Sequence, residues 1–122
     1  MTLGVSLGGA HYPEGRPEEQ RRLDVRVTVS LGSWGLSGVV FVEGVATWTG
    51  ATGAVRIGFG GVHYELAFPA DDGRSLALVV SHARGFGVRA LTELSGSLAS
   101  RDDGAVIALA RLRFDARSAL GW

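Results

Sequence analysis

The chain has 122 residues, with 12 basic and 12 acidic side chains and a formal net charge of zero at pH 7. No stretch concentrates charge of one sign, so the basic surface that nucleic-acid binding requires is missing and we expect no nucleic-acid partner. The sequence has no cysteine, which excludes disulfides, thiolate nucleophiles and the usual structural zinc sites. The length suits a single domain with its own hydrophobic core.

The first residues carry no targeting pattern. Met1–Val5 lacks a basic region followed by a long apolar run. No later segment has the roughly 18 uninterrupted apolar residues of a membrane-spanning helix. We therefore expect a cytoplasmic protein without a membrane span.

Strict alternation of apolar and polar residues over Leu23–Leu31 predicts the clearest strand of the chain. A second strand is predicted over Leu36–Trp48, whose middle is apolar on both faces. Residues 53–68 are predicted to form a hairpin around Gly60-Gly61, because a two-residue Gly-Gly link is typical of type I′ turns.

Turn residues separate the strands that follow. Pro69–Arg74 and Asp102–Gly104 have turn composition, and a glycine-rich loop is predicted over Ala83–Arg89. The strands predicted between and after these segments are Leu76–Val80, Ala90–Leu98 and Ala105–Phe114.

The even spacing of the turns and the lack of helical periodicity predict a single all-β domain. We expect an antiparallel meander of seven strands, or eight if Thr2–Leu7 joins, that closes as a small β-barrel or packs as a β-sandwich. The predicted strand core is 23–114, between an N-terminal segment, 1–22, and a C-terminal tail, 115–122. Pro17–Arg22 and Asp115–Trp122 have the terminal residues of short helices.

No motif predicts a cofactor or a metal. The glycines at 58–61 precede a strand, whereas a phosphate-binding loop precedes a helix. Asp71-Asp72 and Asp102-Asp103 each precede a turn glycine, and His63 alternates with the apolar face of its strand. No Ser, His and acid occur in the spacing of a catalytic triad, so no catalytic residue is assigned.

Two strand centres are apolar on both faces, at Val39 and Phe41 and again at Ile107 and Leu109. An exposed apolar stripe needs cover, and little helix is predicted to provide it. We therefore expect a homodimer that uses one of these faces.

A candidate ligand site follows from the meander, in which alternate turns lie at the same end of the sheet. The links after Leu31 and at Gly60-Gly61 and the loop after His82 would share one end. The residues expected at that rim are Trp34, Phe59, Tyr64, His82, Arg84 and Phe86. They suit an apolar ligand with one oxygen function, with Tyr64 or His82 as donor and Arg84 as anion partner. A well-packed barrel end is the alternative.

Several strand motifs occur in a fixed order. They are Leu23-Asp24-Val25-Arg26-Val27-Thr28-Val29, Ser37-Gly38-Val39, His63-Tyr64-Glu65-Leu66-Ala67-Phe68 leading through Asp72-Gly73-Arg74 to Leu76-Ala77-Leu78, Leu91-Thr92-Glu93-Leu94, and Ala110-Arg111-Leu112-Arg113-Phe114. In this order they resemble the small all-β accessory domain of cholesterol-oxidase-like enzymes in the glucose-methanol-choline oxidoreductase group. The resemblance implies a role beside apolar, sterol- or lipid-like substrates. It does not imply oxidoreductase chemistry, because the chain has no flavin-binding fingerprint.

The leading hypothesis is a non-catalytic β-barrel module that binds an apolar, lipid- or polyketide-like small molecule or a partner protein. One alternative is a small β-barrel cyclase or isomerase of an apolar substrate, with His82 and Tyr64 transferring protons. The other is a structural subunit with a filled core. An eight-stranded barrel either fills with side chains or holds one small ligand, so the cavity volume separates these hypotheses.

Overall fold

The computed structural model describes residues 1–16, 18–58, 61–82 and 93–114, and this part of the chain is entirely β. Its strands are β1 (Thr2–Pro13), β2 (Arg21–Ser30), β3 (Gly35–Val42), β4 (Ala46–Gly58), β5 (Gly61–Pro69), β6 (Ser75–His82), β7 (Glu93–Ser100) and β8 (Val106–Phe114). Each strand pairs with the next, and β1 pairs antiparallel with β8, which closes the sheet into a barrel. The predicted all-β antiparallel fold is confirmed, and the barrel is the architecture that forms.

The alternation seen in the sequence separates the barrel interior from its outer surface. Along β2, Leu23, Val25 and Val27 are buried, while Arg26 between them is exposed. Successive side chains of a strand point to opposite faces, so the apolar set of each strand turns inward when the sheet closes. The interior is therefore the hydrophobic core.

The first strand extends well beyond the predicted Thr2–Leu7. It pairs with β2 from Thr2 to His11 and with β8 from Leu7 to Pro13. The strand core accordingly begins at Thr2 and not at residue 23.

The short helix predicted at Pro17–Arg22 is wrong. Arg21 and Arg22 are the first residues of β2 and pair with His11 and Ala10 of β1. Arg22 N donates to a carboxylate oxygen of Glu43 at 3.2 Å, and the Arg22 carbonyl oxygen accepts from Glu43 N at 2.9 Å. These bonds run across the sheet and use backbone groups that a helix ending at Arg22 would need. The helix predicted at 115–122 lies outside the described residues.

The segment Leu36–Trp48, which we predicted to be one strand, is divided by a turn. Its first part belongs to β3, which ends at Val42, and its last part begins β4 at Ala46. Val45 N donates to the carbonyl oxygen of Val42 at 2.8 Å, and Gly44 has a φ of 79°. A positive φ is accessible to glycine at little cost, so Gly44 allows the chain to reverse here. The predicted hairpin over 53–68 is present, but Gly61, predicted to lie in its link, is the first residue of β5 and pairs with Gly58.

Glycines inside the strands let neighbouring backbones approach closely. A Cβ added at Gly53 would overlap the carbonyl oxygen of Glu65, and one added at Gly38 would overlap that of Arg26. Gly9 and Gly96 are in the same situation on β1 and β7. Glycine at such positions permits the sharp bends that close a small barrel.

The barrel has two ends. The open end carries the first residues of β1, β3, β5 and β7 and the last residues of β2, β4, β6 and β8; the closed end carries the opposite termini. At the closed end, hydrogen bonds join one link to another, as from Asp71 N to the carbonyl oxygen of Val45 at 2.8 Å. The described part of the chain contains no helix long and apolar enough to cross a membrane.

Candidate functional site

A cavity of about 400 Å³ occupies the interior of the barrel at its open end. Inward-facing residues of β1–β6 and β8 line it, together with the link between β2 and β3. Its volume lies within the range of small-molecule sites, which is roughly 300–1,000 Å³. The same alternation that forms the core therefore also lines a cavity that side chains do not fill.

The walls of the cavity are apolar from its depth to its mouth. Val25 and Leu78 are fully buried and lie deep in the interior. Leu3, Trp34 and Ile57 also line the cavity but are 50%, 45% and 70% exposed, so they surround the mouth. An apolar lining favours an apolar occupant, because both surfaces leave water together.

One hydrogen-bonded pair brings polarity to this end of the barrel. Tyr64 lines the cavity from β5, and its hydroxyl oxygen lies 3.0 Å from Nε2 of His82 at the end of β6. The two rings meet edge to face with centroids 5.6 Å apart. Burial raises the pKa of the Tyr64 phenol, which therefore stays protonated near neutral pH.

Phe114 completes the support of this pair and did not figure among the predicted site residues. Its ring stacks on His82 with centroids 6.1 Å apart, and it also lines the cavity. The signal for it was present in the sequence, because Phe114 follows Ala110 and Leu112 on the apolar face of the last strand. What the sequence did not show is that β8 lies beside β1.

Trp34 is held at the mouth in an unfavourable backbone conformation. Its φ is 59°, in the left-handed region, which a bulky residue rarely adopts. Trp34 N donates to the carbonyl oxygen of Ser30 at 2.7 Å, and the Trp34 carbonyl oxygen accepts from Val55 N at 2.8 Å. Such strain costs about 1–3 kcal/mol, and it is found most often at functional sites.

The structure places three of the six predicted site residues at one end of the barrel. Trp34 and Tyr64 line the cavity, and His82 contacts Tyr64. Phe59, Arg84 and Phe86 lie outside the described residues. A role of any of the six residues in ligand binding stays a prediction.

A larger depression of about 550 Å³ lies on the outer surface across β1, β7 and β8. Outward side chains such as Tyr12, Ser95 and Arg111 line it, and Arg113 there is paired with Glu93 at 2.7 Å. Its walls mix charged and polar side chains with apolar ones, and they lie on the outside of the sheet. The interior cavity is therefore the better candidate for an apolar ligand, although it is the smaller of the two.

The acidic pairs of the sequence serve their own turns. An Asp72 carboxylate oxygen accepts from Arg74 N at 3.0 Å, and one of Asp103 accepts from Ala105 N at 2.9 Å. Within the described ranges, no three His, Asp or Glu side chains converge in a way that would hold a metal ion.

The outer face that carries Val39 and Phe41 is partly covered by its own chain. Trp48 packs on Phe41 with ring centroids 5.7 Å apart, and the Arg22 guanidinium lies 5.0 Å from the Phe41 ring centre. On the other predicted face, Ile107 packs against the core, whereas Leu109 is 57% exposed. Leu109 is thus the most exposed of the four apolar residues expected to mediate self-association.

Comparison with known proteins gives no match: no protein-family model, no curated protein and no solved structure is recognisably similar to this chain.

Proposed function

We propose that this protein is a small β-barrel module that binds one apolar, lipid- or polyketide-like small molecule inside its open end. The observation that carries the proposal is the cavity of about 400 Å³ with walls of Val, Leu, Ile and aromatic side chains. Given that one water takes about 30 Å³ of liquid volume, the chamber has room for on the order of ten to fifteen non-hydrogen atoms.

One further observation supports a binding role over a structural subunit with a filled core. A cavity of this size leaves its apolar walls without packing partners, and a purely structural barrel would gain nothing from that loss of packing. The resemblance that we infer from the strand motifs to the accessory domain of cholesterol-oxidase-like enzymes would likewise imply an apolar ligand.

The Tyr64–His82 pair favours one alternative, a cyclase or isomerase that acts on an apolar substrate. A phenol and an imidazole in hydrogen-bond contact can move a proton at the wall of a dry cavity. The binding module remains the first choice, because one pair of polar groups suffices to orient a ligand. The two functions differ in whether the bound molecule is released unchanged.

The direct test is native mass spectrometry of protein taken from the producing cells, followed by titration with an apolar fluorescent probe. We expect one co-purifying small molecule per chain and saturable binding of the probe. The same mass gives the number of subunits and so tests the homodimer, which we also propose, with Leu109 on the contact face. A ligand recovered as a chemically altered product would favour the enzyme.

A blocked cavity provides the matched control. Val29→Trp puts an indole into the chamber from β2, and we expect it to weaken probe binding by about tenfold or more, since a clash of 1.4 kcal/mol already has that effect. Val39→Trp adds the same ring on the outer surface and should leave binding intact. Equal binding by both variants would show that the probe does not enter the barrel and would contradict the proposed function.

A further inference from the structure

We infer that the ligand carries a neutral carbonyl oxygen and that the Tyr64 hydroxyl donates a hydrogen bond to it while His82 donates to Tyr64. The inference rests on the proposed function, because it specifies which molecule the cavity takes. It follows from the contacts of His82 and from the polar groups along the cavity wall.

The first step concerns the direction of the hydrogen bond between the two rings. The Tyr64 oxygen and His82 Nε2 are 3.0 Å apart, and either atom can be the donor. The other ring nitrogen, His82 Nδ1, is buried and has no hydrogen-bond partner among residues 1–16, 18–58, 61–82 and 93–114. A neutral imidazole carries its proton on one nitrogen only, so the surroundings of Nδ1 decide the tautomer.

A proton on Nδ1 would be a buried N–H without an acceptor, and such groups are rarer in proteins than acceptors without a donor. The favoured tautomer therefore has the proton on Nε2 and leaves only a lone pair at Nδ1. His82 then donates to the Tyr64 oxygen. The phenol keeps its own hydrogen, which is free to donate to a ligand.

The second step concerns the other polar groups that meet the cavity. Among the described lining residues only Tyr64 and Trp34 have polar side-chain atoms. The Tyr64 oxygen already accepts from His82, which leaves its O–H as a donor, and an indole N–H is a donor only. No described lining residue carries a charge. Burying a carboxylate or an ammonium against these described residues would remove its water without supplying a counter-ion.

The described part of the wall offers donors and no charge, and such a wall selects a neutral acceptor. A ketone or aldehyde satisfies the Tyr64 hydroxyl and buries its hydrocarbon part against the apolar walls. A hydrocarbon leaves the phenol hydrogen unpaired, and a fatty acid anion brings an uncompensated charge.

The experiment compares three ligands with the same nine-carbon chain: nonyl methyl ketone, the hydrocarbon with a methylene in place of the carbonyl oxygen, and decanoate. Their dissociation constants are measured by displacement of the fluorescent probe from wild type, Tyr64→Phe and His82→Leu. Unfolding midpoints and near-ultraviolet circular dichroism establish that each variant is folded.

We expect Tyr64→Phe to weaken binding of the ketone by about tenfold, because the buried carbonyl loses its donor, and not to weaken binding of the hydrocarbon. His82→Leu should change the affinity for the ketone by less than about threefold, since it leaves the donor in place. Decanoate should bind to the wild type about tenfold or more weakly than the ketone.

Three results would overturn the inference. If Tyr64 donates to His82, Tyr64→Phe will not affect the ketone and His82→Leu will strengthen its binding. Tighter binding of decanoate than of the ketone would show that the ligand is an anion. If Tyr64→Phe changes the binding of ketone and hydrocarbon equally, Tyr64 does not recognise the carbonyl, and the inference fails while the proposed function stands. If the wild type binds neither the probe nor any of the three ligands, the proposed function itself fails.

Discussion

The closed end and the open end of the barrel are built from the same eight strands but are filled differently. Near the closed end, Val42, Ala46 and Leu76 are fully buried and pack in the core. Near the open end, Ile57 and Trp34 line the mouth of a chamber and are largely exposed. Packed interiors hold proteins together, whereas unfilled apolar ones are costly unless a ligand uses them.

The polar groups of the two ends differ in the same way. His11 is 1% exposed near the closed end, where its Nε2 donates to the carbonyl oxygen of Glu43 at 3.0 Å. This hydrogen bond joins β1 to the link between β3 and β4. At the open end, the pair of Tyr64 and His82 leaves one hydrogen for a ligand under our inference. We therefore expect stability to be concentrated at one end, and we propose recognition at the other.

Truncating one apolar side chain at each end tests most directly whether the two ends are packed differently. Leu76→Ala removes a fully buried side chain from the packed end, and we expect it to lower the free energy of unfolding by about 2–5 kcal/mol. Ile57→Ala removes a side chain that is 70% exposed at the mouth, and its cost should be under about 1 kcal/mol. Urea unfolding of both variants measures the difference. Equal losses would mean that the open end contributes as much packing as the closed end.

A second prediction uses the pH dependence of stability. Burial lowers the pKa of His11 below its usual 6.5, and the proximity of Arg21 acts in the same direction. The unfolded chain thus takes up a proton at this residue near pH 6.5, whereas the folded chain does so only at lower pH. The stability from His11 is complete above pH 6.5 and decreases as the pH falls towards the folded-state pKa, by at most about 1.4 kcal/mol per pH unit.

The measurement is the free energy of unfolding between pH 8 and pH 5 for wild type and His11→Gln. We expect the variant to lose less stability than the wild type below about pH 6.5. His63→Gln removes a histidine from the outer face of β5 and reports the effect of losing any imidazole. Parallel profiles for wild type and His11→Gln would show that the closed end does not hold this histidine in its neutral form.

Alternation made the strands in the middle of the chain predictable, and Asp-Gly pairs marked two turns. Gly73 and Gly104 do adopt positive φ values, of 89° and 75°, at the predicted positions. Direction of travel in the meander placed Tyr64 and His82 at one end. These features depend on residues close together in sequence, and each has a local pattern.

The rest depended on contacts between distant parts of the chain. β1 includes Gly4, Gly8 and Gly9, so its alternation is weak, and its place in the barrel comes from pairing with β8 more than 90 residues later. The turn at Glu43–Val45 was hidden because apolar residues continue at even-numbered positions on both sides of it in the sequence. The cavity was not predictable, because its volume depends on how closely the glycine-containing strands approach one another.

The smallest predicted effect concerns a side chain that fastens two links of the closed end together. The Asp71 carboxylate accepts from Thr47 N at 3.0 Å and from the Thr47 hydroxyl at 2.9 Å. Asp71→Ala removes both bonds, and since they lie at the surface we expect a loss of about 1 kcal/mol and faster exchange of the Thr47 amide hydrogen. Asp72→Ala is the matched control, because the side chain of Asp72 bonds to Arg74 within its own turn. Its removal should leave the exchange rate of the Thr47 amide hydrogen unchanged.

Affinity for the fluorescent probe should stay unchanged in both variants, since neither residue lies near the cavity. A loss of probe binding in Asp71→Ala would show that the two ends are coupled and that the division between a stabilising end and a binding end is wrong.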